Sequence, residues 1–169
     1  MGLLAKIFGA VSWSEMKGIR LDPMRPVWEL YGSADFCSLF QALPALLPQD
    51  SVLYFEGGHP SGDLAEFLKE NAVPERVHVA YGTIWPRPLV THVPATEITM
   101  SRLANLMRSR PTHELADHFH VYNNQAVVLE CYDAFFQPMW LTADFPEEQI
   151  RVFAERLGMT YKRIDNSRK

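Results

Sequence analysis

Residues 118–132 read HFHVYNNQAVVLECY, and how this stretch folds back on itself decides what the sheet around it looks like. His118, His120 and Tyr122 alternate with Phe119 and Val121, the period-two pattern of a strand. Residues 125–132 are again rich in β-formers. The Asn123-Asn124 pair between them suits a two-residue turn, because asparagine tolerates the positive φ of a type I′ connection. The expected product is an antiparallel hairpin in which Tyr122 faces Gln125, His120 faces Val127 and His118 faces Leu129. One face then carries His118, His120, Tyr122, Gln125, Cys131 and Asp133 around Val127 and Leu129. The other carries Phe119, Val121, Ala126 and Val128, the better core.

Upstream of the hairpin, residues 27–31 (VWELY) read as a strand bounded by Gly32. Ser33 stands as N-cap for a helix whose Phe36, Leu39, Phe40 and Leu43 form an apolar stripe, ended by Pro44 and Pro48. Residues 51–56 predict a buried strand. Leu64, Phe67 and Leu68 predict a second helix stopping before Pro74, and residues 77–81 a third strand. This strand-helix alternation favours a parallel sheet with covering helices. Trp85-Pro86-Arg87-Pro88 interrupts it, residues 89–93 suit a short edge strand, and Met100, Leu103 and Met107 mark a third helix. After the hairpin, residues 139–142 suit a strand. Asp144 and Glu147 then read as a capping box for a helix with Ile150, Phe153, Ala154 and Leu157 on one face and Gly158 as its stop. The fold class is α/β, with a βαβαβ half, a hairpin or meander half, and a mixed sheet flanked by helices. Residues 1–24 form an N-terminal amphipathic helix and arm, 25–164 one domain, and 165–169 a solvated tail.

The 169 residues are 47% hydrophobic and 21% charged, which suits one globular domain and excludes collagenous, coiled-coil and disordered chains. Sixteen basic against twenty acidic residues give a net charge of -4 with no basic run, so no nucleic-acid partner is expected. The excess is uneven. Residues 1–85 hold six basic and ten acidic side chains, and residues 86–169 hold ten of each. Cys37 and Cys131 are not spaced as a metal pair and are expected as reduced thiols in a cytoplasmic protein. Leu3, Leu4, Ile7, Phe8 and Val11 form a stripe broken by Lys6, read as a helix docked on the domain rather than a signal peptide. No apolar run approaches the length of a membrane span, so no stable insertion is expected.

Four constellations could carry chemistry. The loop Gly57-Gly58-His59-Pro60-Ser61-Gly62 lies between a strand and a helix, where backbone amides can hold an anion. Its acidic successor Asp63 departs from the phosphate-loop pattern, and a plain turn is the expectation. His113, His118 and His120, with Asp133, could hold zinc and a metal-bound water, the basis of an alternative reading as a metal-dependent hydrolase. Cys131 beside these histidines would be a nucleophile arrangement in principle, although a strand interior is a poor place to present one. Finally, Tyr122, Phe135, Phe136 and Trp140 with the carboxylates Glu130 and Asp133 make an aromatic, acidic patch of the kind that anchors a protein partner.

With no cofactor loop and no complete nucleophile or metal set, the leading expectation is a protein-binding protein. Its sharpest form is an immunity or inhibitor protein that occludes a basic toxic enzyme, with a homodimer through the same patch as a variant.

Overall fold

The computed structural model describes residues 16–165. The stripe at Leu3 to Val11 and the last four residues of the expected tail lie outside them. The expected α/β domain is present, with one seven-stranded sheet flanked by helices. Its strands are β1 (Val27–Tyr31), β2 (Val52–Glu56), β3 (Val90–Pro94), β4 (His118–Asn123), β5 (Ala126–Cys131), β6 (Met139–Thr142) and β7 (Thr160–Ile164). The helices are α1 (Phe36–Ala42), α2 (Gly62–Asn71), α3 (Glu97–Met107), the single turn α4 (Thr112–Leu115) and α5 (Glu147–Leu157).

Sheet order is β3-β2-β4-β5-β6-β1-β7, and every ladder between neighbours is antiparallel. This corrects the expected parallel pairing. β1 and β2 do run in the same direction, joined through α1, but β4, β5 and β6 are inserted between them. The expected strand at 77–81 is also absent from the sheet. Its Val79 makes an isolated parallel bridge with Ile19, the one parallel element that accompanies the antiparallel sheet among the described residues. β7, unforeseen in the sequence, pairs with β1 from Val27 opposite Ile164 to Tyr31 opposite Thr160.

The helices cover one face of the sheet. Leu30, Leu53, Phe55, Phe119, Val121, Leu129, Met139 and Leu141 meet Phe36, Leu39, Leu64, Met100, Leu103, Ile150 and Phe153 in a continuous core. Helix ends are fixed locally, though not always by the expected residue. Asp35, rather than Ser33, caps α1 and accepts from Ser38 N at 2.7 Å, because Phe36 is the first residue of the buried stripe. Asp144 does not cap α5, where Pro146 occupies the cap position. Its carboxylate instead pairs with Arg25 at 2.6 Å. Gly158 ends α5 in the left-handed region, at φ 65°, as a stop residue should. Among the described residues no helix packs on the opposite face of the sheet. Irregular segments at 16–22 and 73–83 lie over it, with Leu21, Val79 and Tyr54 sharing a second apolar cluster.

Candidate functional site

The face opposite the helix-side core is where the chemistry-bearing side chains collect. In register across the sheet, His92 lies opposite Tyr54, Tyr54 opposite His120, His120 opposite Glu130, and Glu130 opposite Trp140. Trp140 in turn lies opposite Glu29, and Glu29 opposite Lys162. One row of side chains thus crosses all seven strands as His, Tyr, His, Glu, Trp, Glu and Lys. Glu56 and His118 face one another one step along the strands.

A β-bulge creates this alignment. Tyr122 pairs with Val127 but Val121 pairs with Leu129, so one extra β5 residue, Val128, is accommodated between them. Past the bulge the parity of β5 is inverted relative to the register expected from the sequence. Glu130 comes to the histidine face, and Cys131 turns to the helix face opposite Phe119. The turn itself is Asn124-Gln125, with Asn124 at φ 54°, one residue later than expected.

The buried polar groups hold the covering segments. Glu56 is fully buried and accepts from Thr83 N at 2.6 Å, Gly82 N at 3.0 Å and Tyr54 Oη at 2.7 Å. Glu130 accepts from Leu21 N at 2.8 Å, and burial raises its pKa above the usual carboxylate range. His92 Nδ1 shares a hydrogen with Tyr122 Oη at 3.0 Å, leaving Nε2 without a partner. His120, 1% exposed, has no partner for either ring nitrogen and sits between Tyr54 and Tyr132, with ring centroids 5.3 and 4.9 Å away. Burial, followed by the charges of His118 and Arg20, depresses its pKa to about 3, so the ring is neutral at physiological pH.

These positions do not assemble the expected zinc set. His113 stands exposed on α4, and His120 is enclosed. His118 Nδ1 accepts from Asp133 N at 3.2 Å, with the Asp133 carboxylate 3.8 Å away. Among the described residues no group of three or more His, Cys, Asp or Glu is placed to hold a metal ion. Cys131 is no nucleophile beside these histidines. It lies in the helix-side core with its thiol pushed up to about 12, chiefly by burial. In the Gly57 to Gly62 loop three amides are engaged by the protein, Gly57 N with the Leu89 carbonyl at 2.9 Å, Gly58 N with Asp117 Oδ2 at 3.4 Å and His59 N with the Glu114 carbonyl at 3.0 Å. Arg110 bridges Asp63 and Glu114 beside it.

The expected aromatic patch divides. Tyr122 and Glu130, 2% and 9% exposed, are interior and cannot anchor a partner at the surface, because segment 16–22 lies over them. Trp140 is half-buried against Tyr132, and Phe135 packs on Phe36 at 5.0 Å. Phe136 alone among these aromatics stands free, 92% exposed, with Asp133 exposed beside it. The turn that presents it is unusual. Asp133, Ala134 and Phe135 have φ of 52°, 48° and 73°, three consecutive left-handed residues that are not glycine. At roughly 1–2 kcal/mol per residue, such a turn costs several kcal/mol and persists only where surroundings impose it. Here Ala134 N donates to the Asp117 carbonyl at 2.8 Å, and Phe135 is clamped in the core.

Sequence reasoning passed over Glu56, His92 and the loop at 84–89, in which Ile84, Trp85 and Leu89 are exposed by 59, 67 and 74%. The only signal for the loop was Trp85-Pro86-Arg87-Pro88, read as a strand breaker rather than as a surface. Loop and turn come to the same end of the sheet. Gly82 backs onto the His118 ring, Gly57 N donates to the Leu89 carbonyl at 2.9 Å, and Asp133 N reaches His118. Compared with known protein families, with curated proteins and with solved structures, the chain finds no match.

Proposed function

We propose that this is a protein-binding domain that docks through the end of the sheet carrying Phe136. The observation that carries the reading is the left-handed turn at Asp133 to Phe135, which holds a large aromatic side chain out in solvent on a strained backbone. Strain of this kind collects where a segment must be held ready for a ligand, and exposed aromatics are the usual anchors of protein interfaces. Ile84, Trp85 and Leu89 enlarge the apolar surface at that end. Asp133 beside the anchor, with a net charge of -4, favours a basic partner, as an inhibitor or immunity protein occluding an enzyme would need. Both described cysteines are free, which fits a reducing compartment such as the cytoplasm. No observation favours the metal-dependent hydrolase, whose ligands are not brought together.

The test compares capture of binding proteins from native extract by the wild-type chain, Phe136→Asp and Trp85→Asp at matched concentration. One near-equimolar protein held by wild type and weakened at least about 30-fold by Phe136→Asp is the expected result, since a hot-spot anchor contributes about 2 kcal/mol or more. Equal capture by wild type and Phe136→Asp, or capture by neither, overturns the reading. Loss of a wild-type dimer in the variant would identify the partner as a second copy.

A further inference from the structure

Residues 16–22 form a strap across the sheet face that carries His120 and Glu130. Ile19 N donates to the His78 carbonyl at 2.8 Å and Ala80 N to the Ile19 carbonyl at 3.0 Å, tying the strap to the neighbouring segment. Gly18 makes that contact close, since a Cβ there would lie 2.2 Å from Ala80 N. The strap's backbone reaches the polar row of the sheet at Leu21, whose amide donates to Glu130 Oε1. Directly opposite Glu130 in the ladder is His120, with both ring nitrogens buried and unpartnered.

We propose that His120 and Glu130 are an acid-operated latch on this strap, in which a proton taken up by His120 draws the Glu130 carboxylate from the Leu21 amide and lets residues 16–22 lift from the sheet. The geometry supplies each part. An imidazole with no hydrogen bond in the closed state has nothing to lose by reorienting, and the buried carboxylate facing it is the acceptor an imidazolium would seek. Once Glu130 turns, the Leu21 amide is left without its acceptor, which destabilises the closed strap.

The groups facing His120 come from every element around it. Tyr54 and Glu56 lie on β2, His118 on β4, Glu130 on β5, Tyr132 just beyond it and Arg20 on the strap, with His92 on β3 behind Tyr54. His118 and Arg20 repel a proton on His120. The sign follows from linkage. The closed state depresses the His120 pKa from its ordinary 6.5 to about 3, so closure is fully favoured above about 6.5 and weakens as pH falls below it, roughly tenfold per pH unit. Glu130 works in the opposite sense, because its raised pKa makes proton uptake there favour closure. Loosening that begins near 6.5 is therefore the signature of the imidazole.

Amide hydrogen exchange of the full chain from pH 7.5 to 5, corrected for intrinsic rates, tests the latch. Protection of the Leu21 amide should fall about tenfold per unit below about pH 6.5, while that of Leu53 in β2 stays constant. His120→Phe forfeits no hydrogen bond and should abolish the loosening, leaving a Leu21 profile that is flat or, through Glu130, more protected toward pH 5. A flat wild-type profile, or a variant that loosens as wild type does, overturns the proposal. Should the variant fail to fold, nitrogen NMR of the wild-type imidazoles decides. His120 protonation in step with Leu21 deprotection supports the latch, and protonation with Leu21 still protected overturns it.

Discussion

His120 faces Glu130 across the β4–β5 ladder only because Val128 is bulged out of register between Val121 and Tyr122. With the same residues and no bulge, a strict two-residue alternation from the Asn124-Gln125 turn would put Glu130 opposite Phe119, under the helices. A carboxylate stranded there costs several kcal/mol.

Deletion of one valine from the Val127-Val128 pair should therefore be tolerated. The ladder then runs regularly from Tyr122 opposite Val127 to Val121 opposite Leu129, and Glu130 still meets His120. The expected loss is the burial of one valine, about 1.5–3 kcal/mol, read from urea unfolding. A chain that no longer folds cooperatively would show that the bulge does more than set the register.

Glu56 accepts three hydrogen bonds at a site with no exposure. Glu56→Ala would leave Gly82 N, Thr83 N and Tyr54 Oη without their acceptor, and should cost about 3–5 kcal/mol. Amide exchange should rise first at residues 82 and 83. Loss below about 1 kcal/mol would mean that water replaces the carboxylate.

The left-handed turn offers a stabilising substitution. Ala134→Gly removes the Cβ penalty at φ 48° but increases the freedom of the unfolded chain, so a net gain of up to about 1 kcal/mol is expected. Ala134→Val should destabilise by more than that. Thermal melts of the three proteins give the order directly.

The two thiols should differ sharply. With Cys131 enclosed and its pKa near 12, its thiolate is essentially absent at pH 8, whereas Cys37 is only partly buried. A disulfide reagent at pH 8 should label Cys37 alone in the native protein and both after unfolding. Native labelling of Cys131 would show that the region around β5 opens.

Much of the architecture was legible in the sequence, because elements are written in local periodicity. The β-forming runs at 27–31 and 51–56, the stripes at Phe36 to Leu43 and Ile150 to Leu157, and the glycine at 158 each specify a strand, a helix or a stop through residues close in sequence. The parts that failed depended on distant chain. Residues 77–81 have the composition of a strand but find only Ile19 to bridge, whereas the polar run Thr160 to Ile164 becomes a strand because β1 offers it a free edge. For the site, the histidine and tyrosine alternation of β4 was visible, but Glu130 was assigned a surface role and Glu56 none.

The sequence by itself determined that the chain is an α/β domain, where its turns fall to within a residue or two, and that His118, His120 and Tyr122 share a face. Only the tertiary structure decided that β4, β5 and β6 stand between β1 and β2, that one bulged valine brings Glu130 to His120, and that Phe136 rather than Tyr122 meets solvent. The physical reason is that backbone periodicity is a local property. Pairing partner, register and burial are settled by hydrogen bonds and packing between segments far apart in the chain, where a shift of one residue exchanges the two faces of a strand.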